Sequence, residues 1–168
     1  VIEVGICIRL AEPDDYAAAG ELTAAIYVGD GFVRPDDPYV NELRDAERRA
    51  KEADLLVAVD GDTLLGTVTF CLAGTPYAEI SKAGEAEFRQ LAVAHAGRGR
   101  GIGTALVNAC IDRAIEFGCS RLLLSTDQKM TTAHRIYERA GFVRLPELDW
   151  GVEPGDDFWA FGLDLSGR

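Results

Sequence analysis

The chain has 168 residues, 48% hydrophobic and 27% charged, the balance of a folded domain with a real core and not of a disordered segment. A formal net charge of −11 argues against general nucleic-acid binding and is compatible with a cationic ligand. No apolar run reaches the length of a membrane span and no basic-then-apolar leader opens the sequence, so a cytoplasmic protein with no membrane partner is expected.

Residues Gly5 to Leu10 form a β-branched run and read as the first strand. Glu12-Pro13-Asp14-Asp15 suits a helix start, and the helix runs to about Tyr27 with Ala18, Leu22, Ala25 and Ile26 on one face. Gly29 to Pro38 is dense in breakers. A second helix begins near Tyr39, with Tyr39, Leu43, Ala46 and Ala50 at helical spacing. Leu55 to Val59 reads as a buried strand, Asp60-Gly61-Asp62 as a hairpin turn, and Thr63 to Leu72 as the strand that follows. A looser stretch, Ala73 to Glu85, leads to a strand over Glu87 to Val93. After a glycine-and-arginine turn comes a long helix with Ile102, Leu106, Cys110, Ala114 and Phe117 as its apolar stripe, ended by Gly118.

Arg121 to Ser125 reads as a strand buried on both faces. Thr131 or Thr132 can cap the next helix, whose inner face is Ala133, Ile136, Tyr137 and Ala140 and which Gly141 closes. Phe142 to Leu145 and Trp159 to Leu165 read as the last strands, joined by an insert over Pro146 to Asp157. The order predicts one α/β domain over residues 1–168, with helices on both sides of a central sheet. Cys7, Cys71, Cys110 and Cys119 are scattered without a CxxC pair and read as reduced core residues; no metal site is expected.

The stretch Arg98-Gly99-Arg100-Gly101-Ile102-Gly103 carries the functional signal. A strand entering a glycine-rich turn and then a helix presents free backbone N–H groups and the positive end of a helix dipole, which suit a phosphate. A P-loop is excluded because no lysine follows the glycines, and a dinucleotide turn because Thr104 and Leu106 stand where its third glycine would be. What remains is an RxxGxG pattern.

That turn, with the strand Glu87 to Val93 before it, resembles the GNAT N-acetyltransferase superfamily. A second match lies at Ala133 to Phe142, a helix bearing tyrosine and ending in Gly-Phe. The resemblance covers nearly the whole chain. It implies a central mixed, largely antiparallel sheet of about seven strands, splayed to admit acetyl-CoA. On that resemblance, Leu91, Ala92 and Val93 guide the pantetheine arm. Arg98, Gly99, Arg100, Gly101, Ile102, Gly103 and Thr104 hold the pyrophosphate.

The resemblance implies Met130, Thr131 and His134 as further cofactor contacts. Met130 stands where many relatives carry asparagine and cannot make the same hydrogen bonds. The resemblance places the proton donor for the leaving thiolate, and a further cofactor contact, at Tyr137; spacing alone reads that residue as a core tyrosine. Glu87 occupies a position of the general base, or is a sheet-face carboxylate paired with a nearby arginine such as Arg89.

In the family the acceptor enters opposite the cofactor. Here Tyr27, Phe32, Tyr39 and Trp150 are the expected acceptor contacts, and Asp30, Asp36, Asp37, Glu153, Asp156 and Asp157 supply the acidic surroundings of an amine pocket. The expected activity is acetyl transfer to a primary amine of a small molecule or peptide, by a monomer or homodimer. The alternatives are a coenzyme-A-binding sensor without transfer and an enzyme for a longer acyl chain.

Overall fold

A computed structural model describes residues 5–151, 153–155 and 157–168. In chain order the elements are β1 (Ile6–Leu10), α1 (Tyr16–Gly29), α2 (Tyr39–Arg44), α3 (Ala46–Glu52), β2 (Asp54–Asp60), β3 (Thr63–Leu72) and β4 (Ala86–Val93). There follow α4 (Ile102–Glu116), β5 (Arg121–Asp127), α5 (Thr131–Arg139), β6 (Val143–Arg144) and β7 (Phe158–Asp164). The seven strands make one sheet in the order β1-β2-β3-β4-β5-β7-β6. Every neighbouring pair is antiparallel except β4 with β5. This is the mixed, largely antiparallel α/β sheet expected from the sequence.

Strand β2 shows how the two faces are built. Leu55, Val57 and Val59 pack with Ala19 of α1 and Ala46 of α3. Leu56 and Ala58 turn the other way, into the core beneath Ile102, Leu106 and Cys110 of α4. Side chains alternate across a strand, so one apolar run feeds both cores. Tyr137 of α5 joins the same core as α4, with Phe88 of β4 and Phe161 of β7. The hairpin turn falls at Gly61, whose φ of 58° is left-handed, as the Asp-Gly-Asp signal requires.

Several expectations are corrected. The buried residues of α1 are Ala19, Gly20, Thr23, Ala24 and, as expected, Ile26, whereas Ala18 and Ala25 are exposed and Leu22 is half-buried. The small residues allow close helix approach: a Cβ on Gly20 would lie 2.0 Å from the Arg44 carbonyl oxygen.

The single helix expected from Tyr39 is two. Asp45 is non-helical (φ −83°, ψ 67°), and its side chain accepts the Arg48 N–H, capping α3. Leu43 and Ala46 stay buried across the break, which preserves the apolar spacing. Phe117, the C-cap of α4, keeps helical dihedrals and stacks on Phe70 with centroids 6.0 Å apart, yet is 52% exposed. Gly118 takes φ 72° and the Cys119 N–H bonds the Ala114 carbonyl, a Schellman-type stop just after it. Neither Thr131 nor Thr132 caps α5; Met130 holds the cap position without a side-chain hydrogen bond. Of the cysteines, Cys71 and Cys110 are buried, Cys119 is half-buried and Cys7 is exposed.

Candidate active site

Strand β4 pairs with β5 only over Ala86↔Leu122, Glu87↔Leu123 and Phe88↔Leu124. Beyond Phe88 the two strands part, while β4 stays paired with β3 through Ala92↔Thr67 and Val93↔Gly66. The divergence coincides with a bulge. The β3–β4 register shifts between Thr67 and Thr69, and Gln90 takes a left-handed φ of 56°. A non-glycine residue there is strained and is held by its surroundings. Gln90 is buried, meeting Thr69 Oγ1 at 3.3 Å and donating from Nε2 to the Tyr39 hydroxyl at 3.1 Å. The β5-facing edge of residues 89–93 is thereby left without a strand partner.

The gap opens into a cleft of about 410 Å³. Its β4 wall is Leu91, Ala92 and Val93. Its floor is the turn, with Arg98, Gly99, Gly101, Ile102, Gly103 and Thr104. Its far wall is Met130, Thr131, Ala133 and Ile136 at the start of α5. Most of the expected donor residues therefore meet around one cavity.

The turn can be tested as an anion site. Among the described residues, the amides of Gly99, Gly101, Ile102, Gly103 and Thr104 have no backbone acceptor; the first intrahelical bond is Ala105 N–H to Gly101 O. Gly99 and Gly101 take φ of 78° and 76°, which turns successive N–H groups outward. A Cβ on Gly103 would stand 2.9 Å from Ile136 Cδ1, so glycine sets the spacing of α4 and α5 under the cleft. Five open donors at the N-terminus of a 15-residue helix fit a pyrophosphate. The unpaired β4 edge fits an amide-bearing arm.

Three expected donor contacts stand elsewhere. Arg100 turns from the cleft to Asp60 at the end of β2, 2.9 Å away. His134 is buried against Trp159 and Phe161, with Nε2 3.1 Å from the Asp127 carbonyl oxygen. It shares the sheet-facing side of α5 with Tyr137, three residues on, and that side is not the one lining the cleft. Tyr137 is 4% exposed, its ring edge-on to Phe88 and Phe142 and tilted against Phe161. Its hydroxyl makes no hydrogen bond to a described residue. Burial, with Cys110 nearby, raises the phenol above its ordinary value, so it holds its proton.

Glu87, expected either as base or as a structural carboxylate, anchors a loop in this structure. Its carboxylate is fully buried and accepts the backbone N–H groups of Glu79, Ile80 and Ser81 at 3.0–3.1 Å. Nor does it pair with Arg89, whose Nη1 donates to the Tyr77 carbonyl and meets Glu79. Cys71 and Cys110 are poor nucleophiles: burial pushes the Cys71 thiol up to about 12 and raises Cys110 too.

On the acceptor side, Tyr27 and Phe32 line the cleft with Ile26 and Asp30. Tyr39 lies behind them, bonded to Gln90. Trp150 is outside the cleft; it stacks on Phe158 and donates from Nε1 to Ser125 at 3.0 Å. The expected acidic pocket does not assemble. Asp30 pairs with Arg98 at 2.9 Å, Asp36 pairs with Arg34 in solvent, and Asp37 caps the Tyr39 N–H. Asp157 meets Gln128, and Glu153 is exposed. Asp156 lies outside the described residues. Sequence reasoning missed the Arg98–Asp30 bridge across the cleft mouth and the left-handed Gln90, neither of which has a local signature.

The family model described as the acetyltransferase (GNAT) family matches residues 20–142. No curated protein matches the chain significantly in sequence. Solved structures share the fold. YncA of Salmonella typhimurium, described as an acetyltransferase with its cofactor acetyl-CoA, is 22% identical, with a TM-score of 0.72 over 98% of this chain and 96% of that one. PaiA N-acetyltransferase of Thermoplasma acidophilum, in complex with coenzyme A, is 16% identical, with a TM-score of 0.74 over 95% and 98%. The ribosomal-protein-alanine N-acetyltransferase of Brucella melitensis is 19% identical, with a TM-score of 0.74 over 95% and 99%. No helix among the described residues is long and apolar enough to cross a membrane. With both halves of the donor cleft in place on this sheet, the chain belongs to the acetyltransferase (GNAT) family.

Proposed function

We propose that the protein transfers the acetyl group of acetyl-CoA directly to a primary amine of a small molecule or peptide. The observation that carries this reading is the meeting of five open turn amides and an unpaired β4 edge in one cleft. The relatives solved with acetyl-CoA or coenzyme A support it. Acetyl-CoA supplies a thioester whose C–S bond breaks as the acceptor N–C bond forms.

The chain's own groups divide the work. The amides of Gly99 to Thr104 bind the pyrophosphate, and Leu91 to Val93 align the arm through main-chain groups. A β4 amide beyond the bulge donates to the developing oxyanion. On this reading Tyr137, kept protonated by its burial behind the Ala133 and Ile136 wall, is the proton donor for the departing sulfur, and its ring must turn towards the cleft to reach it. Tyr27 and Phe32 form the apolar wall beside which the amine approaches.

The test is thiol release from acetyl-CoA over amines, amino acids, polyamines and peptides, with calorimetric binding of coenzyme A alongside. Saturable binding with release for at least one acceptor is expected. Binding without release for any acceptor overturns the enzyme reading in favour of a coenzyme-A-binding sensor.

A further inference from the structure

Beneath the acceptor wall lies a guanidinium with one side unfilled. Arg49 of α3 has no exposed surface. Its Nη1 donates to the carbonyls of Glu42 and Leu43, both at 2.8 Å, closing the end of α2. Its Nε and Nη2 are buried and have no hydrogen-bond partner. Those two nitrogens form the edge of the guanidinium that grips a carboxylate with two parallel N–H···O bonds. No carboxylate among the described residues pairs with Arg49. Its neighbours include the neutral phenols of Tyr77, Tyr39 and Tyr27 and the carboxylate of Asp45, which is engaged at the Arg48 N–H. A buried cation left half-bonded is costly, and a matching anion would recover that cost.

The position relates this edge to the cleft. Tyr27 lines the cleft and packs with Tyr39 in one cluster with Leu43, the residue whose carbonyl Arg49 holds. Arg89, on β4 one residue before the bulge, supplies a second cation with 17% of its side chain exposed. Tyr27 and Tyr39 therefore stand in one cluster with the segment that Arg49 closes, and Tyr39 bonds Gln90, the residue after Arg89.

We propose that the acceptor is a small primary amine carrying a carboxylate, as in an amino acid. The carboxylate seats on the Nε/Nη2 edge of Arg49, with Arg89 beside it. The Tyr27 and Tyr39 rings part to admit it, and the amine is held towards the β4 bulge. This rests on the acetyl-transfer reading and replaces the cationic acceptor that composition suggested.

The experiment compares the common L-amino acids with their α-amides and their decarboxylated amines. Thiol release gives kcat/KM, and calorimetry without acetyl-CoA gives binding. At least one acid is expected to exceed its amide and its amine about 100-fold. Arg49→Lys keeps a cation for the Glu42 and Leu43 carbonyls but loses the fork, and Arg89→Gln removes the second charge. Each should cut the acid-over-amide preference at least about 10-fold, with the far-ultraviolet circular dichroism of the parent. Release that treats acids, amides and amines alike, or that favours polyamines, overturns the inference and leaves the acetyltransferase reading standing. Carboxylate binding that Arg49→Lys abolishes, with no release from any acceptor, supports the anion site and overturns the enzyme reading. Absence of both release and binding overturns both.

Discussion

Ser81 donates its backbone N–H to the Glu87 carboxylate at 3.0 Å, and the amides of Ile80 and Glu79 donate to the same group. A strand side chain thus fixes the loop that precedes its own strand. Glu87→Gln puts an amide NH2 where an oxygen met backbone donors. The expected result is a loss of about 2 kcal/mol in urea unfolding, with the acidic limb of the rate–pH profile unmoved. A base at Glu87 would give the reverse: near-parental stability and loss of that limb.

Tyr137→Phe removes only a hydroxyl that bonds no described residue. The melting temperature should stay within a few degrees of the parent, while kcat falls about 100-fold. Because burial raises this phenol above its usual value near 10, the parent should keep its activity up to about pH 10 as far as this donor is concerned. Unchanged turnover in the variant removes Tyr137 from the reaction.

Gly103→Ala tests the floor of the cleft. The new Cβ falls 2.9 Å from Ile136 Cδ1, and that side chain lines the cavity. Displaced into the cleft, it should raise the KM for acetyl-CoA about 10-fold, a change of about 1.4 kcal/mol, with a smaller effect on kcat. Steady-state kinetics with acetyl-CoA varied at fixed acceptor decides it.

Asp149 and Arg144 form a two-bonded fork, both contacts at 2.7 Å, and Asp149 also accepts the Ala160 N–H of β7. The Arg144 hydrogen bond, aided by that N–H, holds the Asp149 carboxyl below its usual range. A depressed folded value means stability that is present above the unfolded value near 4 and lost as pH falls through the folded one. Asp149→Asn should therefore cost about 1–2 kcal/mol at neutral pH. In urea unfolding the gap between variant and parent should close as pH falls through the depressed folded value.

The donor half of the site was legible because it is local. A strand, five turn amides and a helix start sit within Glu87 to Thr104, and their chemistry follows from glycine and helix geometry. His134 was misplaced because the helical period puts it on Tyr137's face but cannot say whether that face meets the sheet or the cleft. Glu87 looked like a base because nothing in Ala73 to Glu85 announces that its amides fold back onto a carboxylate. The acceptor half was the least legible. Its acidic residues dominate the composition, yet Asp30, Asp37 and Asp157 are spent on partners, while Arg49 looked like one more charge on an amphipathic helix. Only the break at Asp45, which turns Arg49 back onto the α2 carbonyls, makes it an interior cation.

The three-residue seam between β4 and β5 also orders events along the chain. Strands β1, β2, β3 and β4 each pair with the strand next in sequence, so that half of the sheet can assemble from sequence neighbours alone, although β1 and β2 are joined through α1, α2 and α3. Strand β7 must instead insert between β5 and β6, after both have been made. During synthesis the half that ends at β4 can be complete while β5 is still in the ribosome. Its β4 edge then waits for only three pairings, so the catalytic opening is a margin the growing sheet never closes.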